Sequence, residues 1–368
     1  MPDGRDGHGG LALQGDNRLR DAVYGVALML MLGWILFIGR AVFVPMVSAI
    51  LVVYVVAGVA RLTLRVPYVG RVVPIRLHYL FAGVVISYGL LELVGAITAN
   101  LTALVARAPE FQTSLLVLVQ GLAERFGVED TLSWEAIRRD LLGTINLQTI
   151  ARTGISSAAS MLTALFIVLL NVGFLMMEQR SFYDKLSRLS SDPAKVRRLL
   201  AVVTDINDRV GRYLALKTLI NVVLGVMSYA IMWLMGLEFA GFWAILIAAL
   251  NYIPYIGSFI AVAFPVALAI VQFGDINDVL VLLIALILAQ MLMGNIVEPQ
   301  VMGQSLNLSP YVILVSLTVW SSLWGVFGAF VAVPIMAVLV IVLSEFEGSR
   351  PLAVLLSLDG DLPPRSED

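Results

Sequence analysis

Cysteine is absent from this chain, and histidine occurs only as His8 and His78. The first absence removes disulfides, thiolate metal sites and thiol nucleophiles. The second leaves almost no material for zinc sites or for triads built on an imidazole base. A third absence is regional: from Thr218 to Ser349, about 130 residues, there is no Lys, Arg or His. Charge is scarce throughout. Only 14% of residues are charged against 60% hydrophobic, a balance foreign to a soluble domain of this length and normal for a polytopic membrane protein. The formal net charge of −2 is uninformative, and no nucleic-acid partner is expected. There is no P-loop and no HExxH, and GQSLN (Gly303 to Asn307) lacks the second glycine of a nucleophile elbow. No enzyme activity, cofactor or metal is expected.

What is present reads as alternating membrane spans and polar connections. Residues 1–19 form a Gly/Asp-rich polar tail expected to be disordered. Residues 20–105 carry three apolar runs, transmembrane helices 1 to 3, and the first is a retained span rather than a cleaved signal. Arg61, Arg65, Arg71 and Arg76 lie between the second and third. By the positive-inside rule that loop is cytoplasmic, as is the N-terminus. Residues 106–156 mix acidic and basic residues with apolar ones at three- and four-residue spacing, and read as an extramembrane amphipathic helical insert, with Ser133 as an N-cap. Residues 157–178 are transmembrane helix 4. Residues 179–217 are the most basic stretch and read as a cytoplasmic amphipathic helical segment. Asp192–Pro193 opens its helix, and Asp205/Arg209 and Asp208/Arg212 stand at i,i+4. Residues 218–346 are a motif-rich transmembrane core. Residues 347–368 form a polar C-terminal tail, expected to be disordered.

The cation-free core is interrupted twice. NYIPYIGSF (Asn251 to Phe259) and WSSLWGVFGAF (Trp320 to Phe330) each break an apolar run. Hydrocarbon penalises exposed backbone by several kcal/mol per group unless protein or a water-filled cavity takes it up, so such breaks point to a transport path rather than an anchor. The two breaks also resemble each other. GSFIAV (Gly257 to Val262) and GAFVAV (Gly328 to Val333) share Gly, Phe, Ala and Val in register, and Pro265 and Pro334 follow. The first arm of each pair is about 12 residues, roughly 18 Å of helix against a hydrocarbon core of about 30 Å. The fold expected is all-α and polytopic, with about seven to eight transmembrane segments, two broken or re-entrant helical hairpins in a possible inverted repeat, and the small extramembrane insert. In the alternative, the long second arms cross fully and the breaks are kinks.

Candidate path residues follow from these interruptions. Asn251, Tyr252, Pro254, Tyr255 and Gly257 define the first break, and Trp324, Gly325 and Gly328 the second. Pro254 lacks an N–H and frees a carbonyl in the turn before it, so carbonyls with Asn and Tyr side chains can coordinate a polar solute or cation. The competing reading is a structural kink with small residues for helix packing. Gln290, Gly294 and Glu298 recur at i, i+4, i+8, with Asn295 beside them. A partly buried Glu298 can exchange a proton or bind a cation; alternatively it caps or snorkels at a helix end before Pro299. Glu92, in the third span, reads as interfacial.

The C-terminal block resembles the AI-2E (autoinducer-2 exporter-like, PerM-type permease) transporter family. The family pattern falls on Ile253, Pro254, Ile256 and Gly257; on Glu298, Pro299, Gly303, Leu308 and Pro310; and on Trp324, Gly325, Gly328 and Pro334. The segment Arg212 to Ile220 is similar to the stretch before the family's core, although Lys217 stands where a small or amide residue is more usual. The resemblance covers nearly the whole chain and implies a multi-pass transporter of the bacterial inner membrane, a homo-oligomer with a pentamer as one form. It implies export of a small polar solute of the autoinducer-2 kind, and the two breaks with Glu298 as working parts make this a secondary active transporter with proton or cation coupling as the expectation. Sodium(lithium)/proton antiport, or a non-transporting membrane scaffold that binds lipid or protein partners, are the alternatives.

Overall fold

A computed structural model describes residues 9–64, 73–125, 147–188, 190–302 and 307–362. Helices dominate the described residues. α1 is Gly9–Ile38, α2 Arg40–Leu64, α3 Ile75–Arg125 and α4 Leu147–Ser187. α5 is Pro193–Leu234, α6 Ala240–Leu250, α7 Ile256–Phe273 and α8 Ile276–Met291. A single π-helical turn, Leu292–Val297, joins α8 to α9, Glu298–Met302; α10 is Pro310–Glu345 and α11 Arg350–Leu356. Seven of these helical stretches are long and apolar enough to cross a membrane: those within α2, α3 and α4, then α5, α7, α8 through α9, and α10. The chain is an all-α polytopic membrane protein. Large apolar side chains lie on its outer surface, among them Leu30, Trp34, Phe81, Val84, Phe166 and Phe174. In a bilayer that is the surface presented to lipid.

Two corrections to the sequence reading concern helix ends. α1 already runs from Gly9, inside the tail expected to be disordered. The C-terminal tail is not featureless either: α11 forms, Ala353 is fully buried, and Leu308 and Ser357 form an isolated antiparallel bridge. Its apolar residues explain this, since Ala353, Leu356 and Leu362 pack into the cluster of Leu308, Trp324 and Val331. The insert expected over 106–156 is framed by continuous helices, with α3 running on to Arg125 and α4 starting at Leu147. Its middle, with Ser133, lies outside the described residues.

From Pro193 onward the basic amphipathic segment and the first core span are one helix, while residues 179–187 form the end of α4. α5 opens at Asp192, whose carboxylate accepts from Ala194 N at 2.9 Å with Pro193 in the first turn. It continues unbroken for 42 residues, because no Gly-Pro signal or run of turn formers interrupts the pattern near Thr218. Arg209 donates to Asp205 at 2.7 Å, but Asp208 lies 4.0 Å from Arg61 of α2 rather than pairing within the helix.

Two hairpins pack against α5. The first is α6 and α7, joined by Asn251–Tyr255. Pro254 O accepts from Ile256 N at 2.7 Å, closing a γ-turn centred on Tyr255 with φ 61° and ψ −62°. That conformation is strained for a side-chain-bearing residue. The second hairpin lies within α10, which bends at Gly325 (φ 65°, ψ −143°), a region open to glycine alone. A straight helix would carry residues 320 and 328 about 12 Å apart. Instead Gly328 abuts the carbonyl of Trp320, and Leu317 of the first arm shares a buried cluster with Ala329 and Ala332 of the second. Gly257 abuts the carbonyl of Leu250 in the same way. In both tips a Cβ would collide with backbone, which is why glycine stands at both matched positions of the repeat.

The two tips meet. Ile253 lies in the cluster of Leu317, Ala329 and Ala332, and the Tyr252 and Phe330 rings are 4.5 Å apart. The bases lie apart. That of the first is tied to the C-terminal end of α5, where Gln272 accepts from Glu238 N and donates to Gly236 O, both at 2.8 Å. That of the second lies beside the N-terminal part of α5, where Arg198 bonds the Glu345 carbonyl and sits 3.5 Å from its carboxylate. About 36 residues of helix, some 54 Å, separate Arg198 from Leu234.

Candidate functional site

Beside the first hairpin tip lies a cleft of about 720 Å³, bounded by α5, that tip, the π turn, α10 and the C-terminal segment. Six of the sequence-derived candidates line it: Asn251, Pro254, Tyr255, Gln290, Asn295 and Glu298. Five do not. Tyr252 turns from the cleft to bond Thr218 at 2.6 Å and stack near Phe330. Gly257, Gly325 and Gly328 shape the tips. The indole of Trp324 donates to Leu36 O at 2.9 Å, satisfying one of the carbonyls left over in the last turn of α1.

Two cleft groups, Glu298 and Asn251, are held from α5. Lys217 is 4% exposed, and its ammonium lies 2.7 and 2.8 Å from the two carboxylate oxygens of Glu298. One turn on, Asn221 accepts from Asn251 Nδ2 at 2.8 Å, and Asn251 in turn accepts from Ser258 at 3.1 Å. Tyr213, Lys217, Asn221 and Ser228 are all buried on one helix. Their spacing by four, four and seven makes a polar stripe facing the core. The shift of composition at Thr218 hides this stripe, because a boundary placed there divides it between two segments.

The π turn is a second feature that sequence spacing does not reveal. Spacing alone puts Gln290, Gly294 and Glu298 on one face of an ordinary helix. The i,i+5 bonding of Leu292–Val297 adds a widened turn, and all three still line the cleft together with Asn295. Such single-turn insertions recur at functional sites. Gln290 Nε2 is buried without a hydrogen-bond partner, as is Asn221 Nδ2. The carbonyl expected to be freed by Pro254 is not free: Leu250 O accepts from Ile253 N at 2.9 Å and is shielded by Gly257. Side chains, rather than that carbonyl, supply the polar lining.

The cleft is chemically balanced. Lys217 and Glu298 are its only charged lining residues among the described ones, and they neutralise each other. The rest of its polar surface is hydroxyl and amide. No group of three or more His, Cys, Asp or Glu is placed to hold a metal ion among the described residues.

Sequence comparison adds an independent finding. The model of the AI-2E family transporters matches residues 24–348. The chain is 28% identical over 344 residues to the AI-2 transport protein TqsA of Escherichia coli (strain K12), covering 90% of this chain and 96% of that protein. It is 29% identical over 280 residues to YhhT of the same strain, provisionally named a transport protein, covering 74% and 77%. A similarly named protein of Haemophilus influenzae is 26% identical over 348 residues, covering 94% of this chain and 98% of that one.

Proposed function

Because this chain belongs to the AI-2E transporter family and acts in transport across a membrane, we propose that it is a permease that exports a small, uncharged, polar solute through the cleft lined by the first hairpin tip, the π turn and the arms of the second hairpin. The observation that carries this reading is the cleft lining. It offers hydroxyl and amide groups around a charge pair that is already neutralised, a surface suited to a hydroxyl-rich solute and poorly suited to a naked ion. The name of its relative TqsA makes an autoinducer-2-like compound the first solute to test.

In the proposed arrangement both hairpins are re-entrant. The first enters from the outer face and the second from the cytoplasmic face, and they meet near the midplane as in transporters built from inverted repeats. The separation of their bases along α5 supports this. The basic N-terminal part of α5 supports a cytoplasmic location for its own end, and with it a cytoplasmic N-terminus in the bacterial inner membrane. Assembly as a homo-oligomer, a pentamer among the forms, belongs to the same proposal. Sodium(lithium)/proton antiport is the weaker reading, because it requires Glu298 to release the ammonium that holds it.

Stopped-flow light scattering of proteoliposomes tests the proposal even while the natural solute is unidentified. Liposomes carrying the protein are expected to swell faster than empty ones in some members of a series of neutral polyols and small sugars, and Ser258→Trp is expected to remove the difference. Equal swelling rates across the whole series would overturn it.

A further inference from the structure

The stretch without Lys, Arg or His begins one residue after Lys217. That position gives the lysine a distinct standing: it is the last cation before a core whose acidic residues can find a cationic partner only outside it. The other core carboxylates lie at the edges, where Asp278 is exposed. Glu238 pairs with Arg107, Glu345 with Arg198, and Asp275 caps α8 through Asn277 N at 2.8 Å. Glu298 alone is met in the middle of the molecule, by a side chain that reaches across from α5.

The geometry is that of an ion bound to a carboxylate. A single Nζ lies at near-equal distance, 2.7 and 2.8 Å, from both Glu298 oxygens. A carboxylate this far removed from water, its side chain 26% exposed, favours a compensating positive charge. In a cation-coupled carrier that charge arrives from solution and leaves again. Here it is covalently tethered to α5. Tyr213 of α5 and Asn251, Gln290 and Asn295 of the other elements line the same cleft, all uncharged, and no second cation lines it among the described residues.

We propose that Lys217 is a built-in counter-ion, occupying the place on Glu298 that a mobile monovalent cation would take, and that it makes the cleft independent of sodium or lithium. The corollary is a latent site. Without the ammonium, the Glu298 carboxylate, with the amides of Gln290 and Asn295 lining the same cleft, becomes a site for one alkali-metal ion bound through oxygen. The consequence for coupling rests on the transport reading above; the binding chemistry does not.

Equilibrium binding of radioactive sodium to the purified full chain in detergent, in a choline buffer at pH 9, tests this. The wild type is expected to show no saturable sodium binding. Lys217→Met is expected to gain one saturable site per chain, displaced by lithium, and Lys217→Met/Glu298→Gln is expected to lose it. Saturable binding by the wild type that Glu298→Gln abolishes overturns the proposal. So does a monodisperse Lys217→Met that binds no more sodium than the wild type, as when Glu298 takes up a proton instead. Should Lys217→Met not stay monodisperse, the wild-type and Glu298→Gln arms decide alone. Because no transported solute enters the measurement, it can fail while solute-driven swelling stands, or succeed while swelling fails.

Discussion

Gly328 packs against the carbonyl of Trp320 so closely that any side chain would collide with it, and Gly257 stands in the same relation to Leu250. This pair of contacts is what the repeat encodes. In each hairpin one glycine lets the second arm start directly against the end of the first.

Substituting either glycine tests this. Gly257→Ala and Gly328→Ala each force backbone apart, and overpacking of this kind costs about 1–3 kcal/mol or more. Gly348, which has open space around it, is the control. Thermal unfolding in detergent, followed by tryptophan fluorescence, is expected to show both tip variants clearly less stable and Gly348→Ala unchanged. A Gly328→Ala protein as stable as the wild type would remove the steric account.

The Lys217–Glu298 pair predicts strong non-additivity. Glu298→Gln strands a buried ammonium, and breaking such a pair costs about 3 kcal/mol, at the low end of the usual range because the Glu298 side chain retains 26% exposure. Lys217→Met/Glu298→Leu removes both charges and is expected to recover most of that loss. Unfolding midpoints of the two single variants and the double variant give the coupling directly. Additive losses would mean that the two groups do not depend on each other.

The C-terminal segment predicts a structural role for residues the composition alone would discard. Ser309 N bonds Leu356 O at 3.1 Å and Asn307 Nδ2 bonds Asp361 O at 2.6 Å, while Leu358 lines the cleft. Ala353→Glu places a charge in a fully buried position and is expected to lower the unfolding midpoint by several degrees, whereas Leu355→Glu, on the exposed face of α11, leaves it nearly unchanged. Equal effects of the two substitutions would mean that α11 is not docked as described.

Opposed entry of the hairpins is tested by labelling, for which the absence of cysteine is convenient. Single cysteines at Asp278, beside the base of the first hairpin, and at Gly348, beside the base of the second, are both exposed positions. A membrane-impermeant maleimide is expected to reach them from opposite sides of oriented vesicles. Labelling of both from one side would refute the inverted arrangement.

Much of this is legible in the chain. The breaks at Asn251–Gly257 and Trp320–Gly328, their shared GxF[IV]AV pattern, and the face carrying Gln290, Gly294 and Glu298 with Asn295 beside it are local features, and local features survive in sequence. The partner of Glu298 does not show, because it lies 81 positions away in sequence on a helix whose basic half suggests a surface segment. Lys217 is visible as an oddity and not as a counter-ion. The π turn also escapes, since nothing in the composition of Leu292–Val297 separates a π turn from an ordinary helical one. Trp324 points to the path by its place in a motif, yet its indole serves the end of α1; the side chain's destination depends on a contact 288 residues away.

Passage of solute through the cleft lined by Asn295 and Glu298 can be read from a single blocking experiment. Asn295→Cys, in a chain otherwise without cysteine, is modified with a bulky water-soluble methanethiosulfonate, and solute-driven swelling of the same proteoliposomes is recorded before and after. Swelling is expected to fall to the rate of empty liposomes as modification completes, and to recover when the mixed disulfide is reduced. Undiminished swelling after complete modification of the introduced thiol would mean that solute crosses somewhere else.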